Sequence, residues 1–88
     1  MHAVVVVTKL NDRSAARAEL KDLVSLVSSM PGFVSGSWVA FASEDRGSAM
    51  VVFDSEDAAK ALATIARQTR GRAVTTESVQ VGEVWARV

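Results

Sequence analysis

The chain opens on an apolar run without polar alternation, Ala3-Val4-Val5-Val6-Val7. Branched side chains suit a pleated backbone, so residues 2–8 are predicted as a strand. The lack of alternation predicts burial of both its faces. The spacing then changes. Ala16, Leu20, Leu23, Val24 and Val27 recur at three and four residues, opposite Arg13, Arg17, Lys21, Ser25 and Ser28. This is the stripe of an amphipathic helix. Asn11 or Asp12 can cap its start. It runs to about Ser29, where Pro31-Gly32 stops it, because Pro lacks an N–H and disfavours helical geometry before it.

A period of two returns over residues 34–42, with Val39 and Phe41 on one side and Trp38, Ala40 and Ala42 on the other. Residues 43–47 read as a hairpin turn in which Gly47 can take a positive φ. Residues 48–53 read as a third strand, with Ala49, Val51 and Phe53 on one face and Met50 and Val52 on the other. Asp54 or Ser55 caps a second helix, and Glu56 and Asp57 suit the positive end of its dipole. Its inner stripe is Ala58, Leu62, Ile65 and Ala66, it ends near Arg70-Gly71, and a loop covers residues 72–77. Residues 78–88 form a last strand, expected at a sheet edge. Val79 and Val81 share a face, and Val84, Ala86 and Val88 resume one residue out of phase, which predicts a β-bulge at Gly82.

The order βαββαβ with two crossovers predicts a ferredoxin-like α+β fold, a four-stranded antiparallel sheet with both helices on one face. Both faces of the strands are apolar, yet the helices cover only one. The uncovered face would exceed the few hundred Å² that soluble monomers tolerate. A homodimer packed sheet to sheet, as an eight-stranded barrel, removes the problem.

Composition points the same way. The chain has 88 residues, is 49% apolar and has no Cys. One domain, residues 1–88, is expected. A domain of this size buries roughly 60% of its unfolded surface, and neither a disulfide nor a thiolate can supplement it. Lys+Arg and Asp+Glu balance at 10 each, so no general attraction to nucleic acid or an anionic membrane is expected. The valine run is too short to span a bilayer. A soluble cytoplasmic protein is expected, without membrane or nucleic-acid partners.

Little in the chain suggests chemistry. His2 is the single histidine, so neither a metal triad nor a His-based catalytic pair can form within one subunit. It can serve as a general base or simply stand at a strand end. Trp38 and Trp85 can stack on a flat ligand or fill an interface. Met50 can be a malleable pocket wall or ordinary core. Arg67, Arg70 and Arg72 can bind an anion, although basic residues ending a helix more often serve its dipole. No phosphate loop, nucleophile elbow or dinucleotide fingerprint is present.

Pro31-Gly32-Phe33, the Trp38 strand, the run from Arg46-Gly47 to Phe53, and Asp54-Ser55-Glu56-Asp57-Ala58-Ala59-Lys60-Ala61-Leu62 together resemble the dimeric α/β-barrel superfamily. They are most similar to its antibiotic-biosynthesis-monooxygenase-like (ABM) members. The resemblance implies a homodimer with a cleft in each subunit between sheet and helices. It also implies quinol oxygenation, haem degradation, isomerisation, cyclisation or no activity at all. Haem-degrading members carry an Asn on strand one, a Trp on helix two and a His beyond it. Thr8, Leu62 and Gly71 stand at those places, which argues against that activity. The expected function is cofactor-free, monooxygenase-like action on, or binding of, a small hydrophobic or aromatic molecule. The alternative is a non-catalytic ligand-sensing or assembly module. The candidate ligand-binding residues are Trp38, Met50, Trp85, Thr8 and His2, with no metal and no cofactor.

Overall fold

The computed structural model describes residues 1–69 and 71–88. Its elements are β1 (His2–Leu10), α1 (Arg13–Ser28), β2 (Phe33–Ala40), β3 (Arg46–Phe53), α2 (Glu56–Gln68) and β4 (Val74–Glu83). The four strands form one sheet in the order β2-β3-β1-β4, and the β1–β3, β1–β4 and β2–β3 pairs are antiparallel. This is the predicted ferredoxin-like α+β fold, with the valine-rich strand inside the sheet and β4 at an edge.

Pairing register sorts the side chains onto two faces. Gly36, Val51, Val4 and Val81 form one row across the sheet, and Trp38, Ala49, Val6 and Val79 the next. Both helices pack on this face. Its core is Val4, Val51 and Phe53 from the sheet, Val27 from α1, and Ala59, Leu62 and Ala63 from α2. Phe53 meets Phe33 edge to face, with centroids 6.2 Å apart. The opposite, open face carries Ala3, Val5 and Val7 of β1, Ser48, Met50 and Val52 of β3, and Ser35, Ser37 and Val39 of β2.

Local chemistry sets the element ends. The Asp12 carboxylate accepts from the Ala15 N–H at 3.0 Å, and the Ser55 hydroxyl accepts from the Ala58 N–H at 3.2 Å, so each supplies the cap of its helix. After α1, Gly32 adopts φ +83°, and its carbonyl accepts from the Asp54 N–H at 2.9 Å. A Cβ at Gly32 would lie 2.5 Å from Asp54 Oδ1. Gly32→Ala is therefore expected to destabilise the fold by about 1–2 kcal/mol from the left-handed backbone alone, and by more once Asp54 is displaced. Urea titration would measure it, and a loss below about 0.5 kcal/mol would contradict this role for the turn.

Several boundaries differ from the sequence reading. β1 continues to Leu10, whose N–H donates to the Asp45 carbonyl at 2.8 Å. β2 ends at Ala40, and β3 begins at Arg46, so Gly47 lies in a strand and keeps a negative φ. Gly47 instead permits close approach, since a Cβ there would meet the Val39 carbonyl at 2.9 Å. The inner stripe of α2 is Ala59, Leu62 and Ala63, and Ile65 is exposed. The helix ends at Gln68, and Arg70 lies outside the described residues.

The expected loop at residues 72–77 is largely strand. β4 starts at Val74, where Asn11 ties the connections together. Asn11 Nδ2 donates to Thr75 Oγ1 at 2.9 Å, and the Asn11 N–H donates to the Ala73 carbonyl at 2.8 Å. The expected bulge at Gly82 is absent. The register shift lies opposite Val7 and Thr8, where Glu77 is the extra residue. Its carboxylate accepts from Arg46 Nε at 2.7 Å and Nη2 at 3.3 Å, reaching from β4 to β3 across β1. Strand pairing stops at Glu83. The out-of-phase residues 84–88 have left the sheet.

Candidate functional site: the cleft beneath the first helix

The two helices sit differently on the sheet. The alanines of α2 let it approach closely, and it packs across β4, β1 and β3. By contrast α1 packs mainly on β2, and Val27 is its one buried residue. Ala16, Leu20 and Val24 of the predicted stripe are half-buried, and Leu23 is exposed.

Both ends of α1 are nevertheless fixed. Val27 and, beyond the helix, Met30 join the core. At the other end the Arg13 guanidinium donates to the Phe41 carbonyl and, at 2.7 Å, to the Glu44 carbonyl, and lies 3.6 Å from Asp45. Between these anchors Ala16, Leu20 and Val24 stay half-buried, on the side of the sheet that also carries the half-buried Val6, Thr8, Trp38 and Ala49. The sparse packing of α1 on β2 makes the space between this helix and the sheet the candidate cleft.

Trp38 is the large side chain on the β2 side of that space. Gly36 lies two residues before it on the same face, and a Cβ there would sit 2.8 Å from Cη2 and Cζ3 of the indole. Gly36 therefore lets the ring lie down along β2 toward Phe33. Thr8 supplies the hydroxyl of the cleft, 3.5 Å from the Gly47 carbonyl and so only weakly engaged. The sequence reading missed both Gly36 and Arg13. A glycine two residues from a tryptophan on one strand face was the available signal for the first. The second depends on how the β2–β3 turn folds back to the helix.

The other sequence candidates lie elsewhere. His2 is at the far end of β1 from Thr8, and its Nε2 is 3.3 Å from Glu56 Oε2. Its Nδ1 is buried without a hydrogen-bond partner. Glu56 also accepts from Lys60 Nζ at 2.8 Å. That hydrogen bond and charge hold the Glu56 carboxyl below its ordinary range, with a smaller contribution from His2. Met50 lies on the open face, 53% exposed, and Trp85 is 90% exposed beyond β4. Thr8 and Trp38 share the helix-covered face but stand on strands separated by β3, with the indole lying toward Phe33, while Met50 and Trp85 lie off that face and His2 stands at the far end of β1. Arg67 donates to the Val79 carbonyl at 3.2 Å, binding α2 to β4. Among the described residues no His, Cys, Asp and Glu group could hold a metal ion, and no helix is long and apolar enough to cross a membrane.

No protein-family model and no curated protein matches the chain. Solved structures do. One is a point mutant of MhuD with two manganese protoporphyrin IX molecules bound per active site. It is 16% identical, with a TM-score of 0.67 over 100% of this chain and 98% of that one. Another is the haem-degrader MhuD from Mycobacterium tuberculosis with two haems bound in its active site. It is 24% identical, with a TM-score of 0.57 over 97% and 98% of the two chains. The chain has the ABM-type fold. At these identities the likeness is one of architecture.

The residues do not fit ligation of a haem iron. The chain has one imidazole and no thiolate. That imidazole faces Glu56, six residues from Thr8 along β1, or about 20 Å in an extended strand.

Proposed function

We propose that this protein is a homodimeric α/β barrel that takes a flat, hydrophobic aromatic molecule into the cleft of each subunit. The ligand would stack on Trp38 and meet the Thr8 hydroxyl. The observation that carries this reading is the half-buried stripe of Ala16, Leu20 and Val24 on α1, a helix that packs mainly on the strand carrying Trp38. Mostly apolar walls with a few polar groups are the ordinary build of a small-molecule site. Support also comes from the shared fold, since the structural neighbours hold planar tetrapyrroles in their active sites. The unpartnered open face supports the homodimer.

Any oxygenation here would be of the cofactor-independent, monooxygenase-like kind, drawing electrons from the substrate. The cleft offers a hydroxyl for orientation and apolar walls that exclude water.

Hydroxylated polycyclic quinols and metal-free protoporphyrin IX are suitable probes. A ligand of this class is expected to quench Trp38 and to stabilise the fold by about 2.7 kcal/mol at a hundredfold excess over Kd. Trp38→Ala is expected to weaken binding at least about tenfold, since aromatic stacking contributes about 0.5–1.5 kcal/mol beyond area burial. Trp38→Phe should retain most of the affinity. If no planar aromatic changes either the fluorescence or the melting temperature, the ligand reading fails. Oxygen uptake with a bound quinol would separate an oxygenase from a binding module.

A further inference from the structure

The open sheet face carries a device of its own. After Glu83 the chain turns off the β4 edge, where the Val84 N–H donates to the Met1 carbonyl at 2.9 Å. Residues 84–88 then cross the open face toward β2, where Arg87 Nη2 meets Ser35 Oγ at 3.3 Å. Ala3 and Val52, open-face residues at this end of the sheet, are buried. Between this arm and strands β2 and β3 runs a groove of about 480 Å³. Its walls include Val39, Met50 and Val88, and the hydroxyl-bearing Ser35, Ser37 and Ser48 line it too.

Trp85 sits between the two anchored points of the arm. Its neighbours Val84 and Ala86 line the groove, whereas Trp85 itself does not and is 90% exposed. One face of the molecule thus presents an unpartnered indole beside an unfilled apolar slot that the indole does not enter. A two-fold axis through that face brings each knob to the other chain's slot, as isologous contacts require.

We propose that residues 84–88 form an interlocking arm, with Trp85 of each protomer seated in the arm-bounded groove of a second copy of this chain. The inference rests on the homodimer reading and gives it a mechanism. The chemistry of the slot matches an indole: apolar walls for the ring, and serine hydroxyls that can accept its N–H, which needs a partner once buried. The area is also right. Strands about eight residues long, four abreast, make a plane of roughly 500 Å² at about 3.4 Å per residue and 4.8 Å per strand. Pleated side chains and a buried indole, itself about 150–250 Å², bring this near the ~800 Å² that each partner of a standard interface contributes. At its far end this face carries Lys9 and Arg46 around the Glu77 carboxylate, which pairs with Arg46.

The test uses Trp38→Phe, which leaves Trp85 as the only fluorophore, followed alongside sedimentation equilibrium. Where the protein sediments as a dimer, Trp85 emission is expected to be blue-shifted and shielded from iodide, and to become exposed on dilution to monomer. Trp85→Ala is expected to raise the dimer Kd at least about thirtyfold, as for a central aromatic hot spot. In the wild-type chain, the indole N–H resonance lost in Trp85→Phe should be protected from exchange, which gives the same reading without altering Trp38. A dimer in which Trp85 is quenched like free indole overturns the arm and leaves the dimer standing. A monomer at every concentration overturns both.

Discussion

Phe53→Ala is expected to remove about 3–5 kcal/mol of stability, the range for truncating a fully buried phenylalanine. Phe53 is 0% exposed and belongs to the cluster that joins the sheet to both helices. It pairs with His2 on β1 and with Phe33 on β2, and its ring meets Phe33 edge to face. The truncation would thus open a cavity in this cluster and loosen the support under Phe33 and Trp38. At about 0.05–0.15 kcal/mol per residue, a chain of this size has roughly 4–13 kcal/mol in all. The variant should therefore melt more than about 10 °C lower, and at the low end of that range it should be largely unfolded at room temperature. Phe53→Leu, which keeps most of the volume, should cost less than half as much. Denaturant titration at one fixed protein concentration is the measurement, because a dimer links stability to concentration. A loss under about 1.5 kcal/mol for Phe53→Ala would show that the core is not centred here.

The fold was readable because its signals agree across levels. Branched residues in the valine run, three- and four-residue spacing in both helices, and caps at Asp12 and Ser55 each point to the same element order. The errors fall where one signal had two physical origins. A phase break at Gly82 looks the same whether the strand bulges or the chain leaves the sheet, and here it leaves. The true bulge at Glu77 has no glycine to announce it, only the odd spacing of Val74 and Val79 on one face, and the pairing of its carboxylate with Arg46 is visible only in three dimensions. Gly47 reads as a turn residue by type, but its role comes from the Val39 carbonyl of a neighbouring strand.

The cleft was less legible than the fold. The spacing of Ala16, Leu20, Val24 and Val27 says which side of α1 turns inward. It does not say how closely that side approaches the sheet. The approach is set by Arg13 reaching the Phe41 and Glu44 carbonyls at one end and by Val27 entering the core at the other. Both are long-range contacts. Periodicity likewise placed Trp38 and Met50 on strands without saying which face holds the helices, so one list of candidates mixed residues from opposite sides of the sheet.

For the homodimer proposed above, Met50→Lys is expected to give a monomer while leaving the subunit folded. Met50 lies on β3 opposite Val5 of β1 and Ser37 of β2, near the middle of the open face, and is 53% exposed in the isolated subunit. At an exposed strand position in a lone subunit, the change should alter stability by no more than about 0.5 kcal/mol. In a sheet-to-sheet dimer the same change buries an ammonium on each subunit against apolar neighbours. An unpaired buried charge costs several kcal/mol even after relaxation, and the two-fold axis introduces it twice. A penalty of about 4 kcal/mol or more raises Kd roughly a thousandfold. Sedimentation equilibrium should give twice 9.4 kDa for the wild type and 9.4 kDa for the variant at the same micromolar concentration, with unchanged far-ultraviolet circular dichroism. Met50→Leu, similar in volume and apolar, should remain dimeric. A wild-type monomer, or a Met50→Lys dimer of undiminished affinity, would show that the apolar centre of this face is not the surface two copies share.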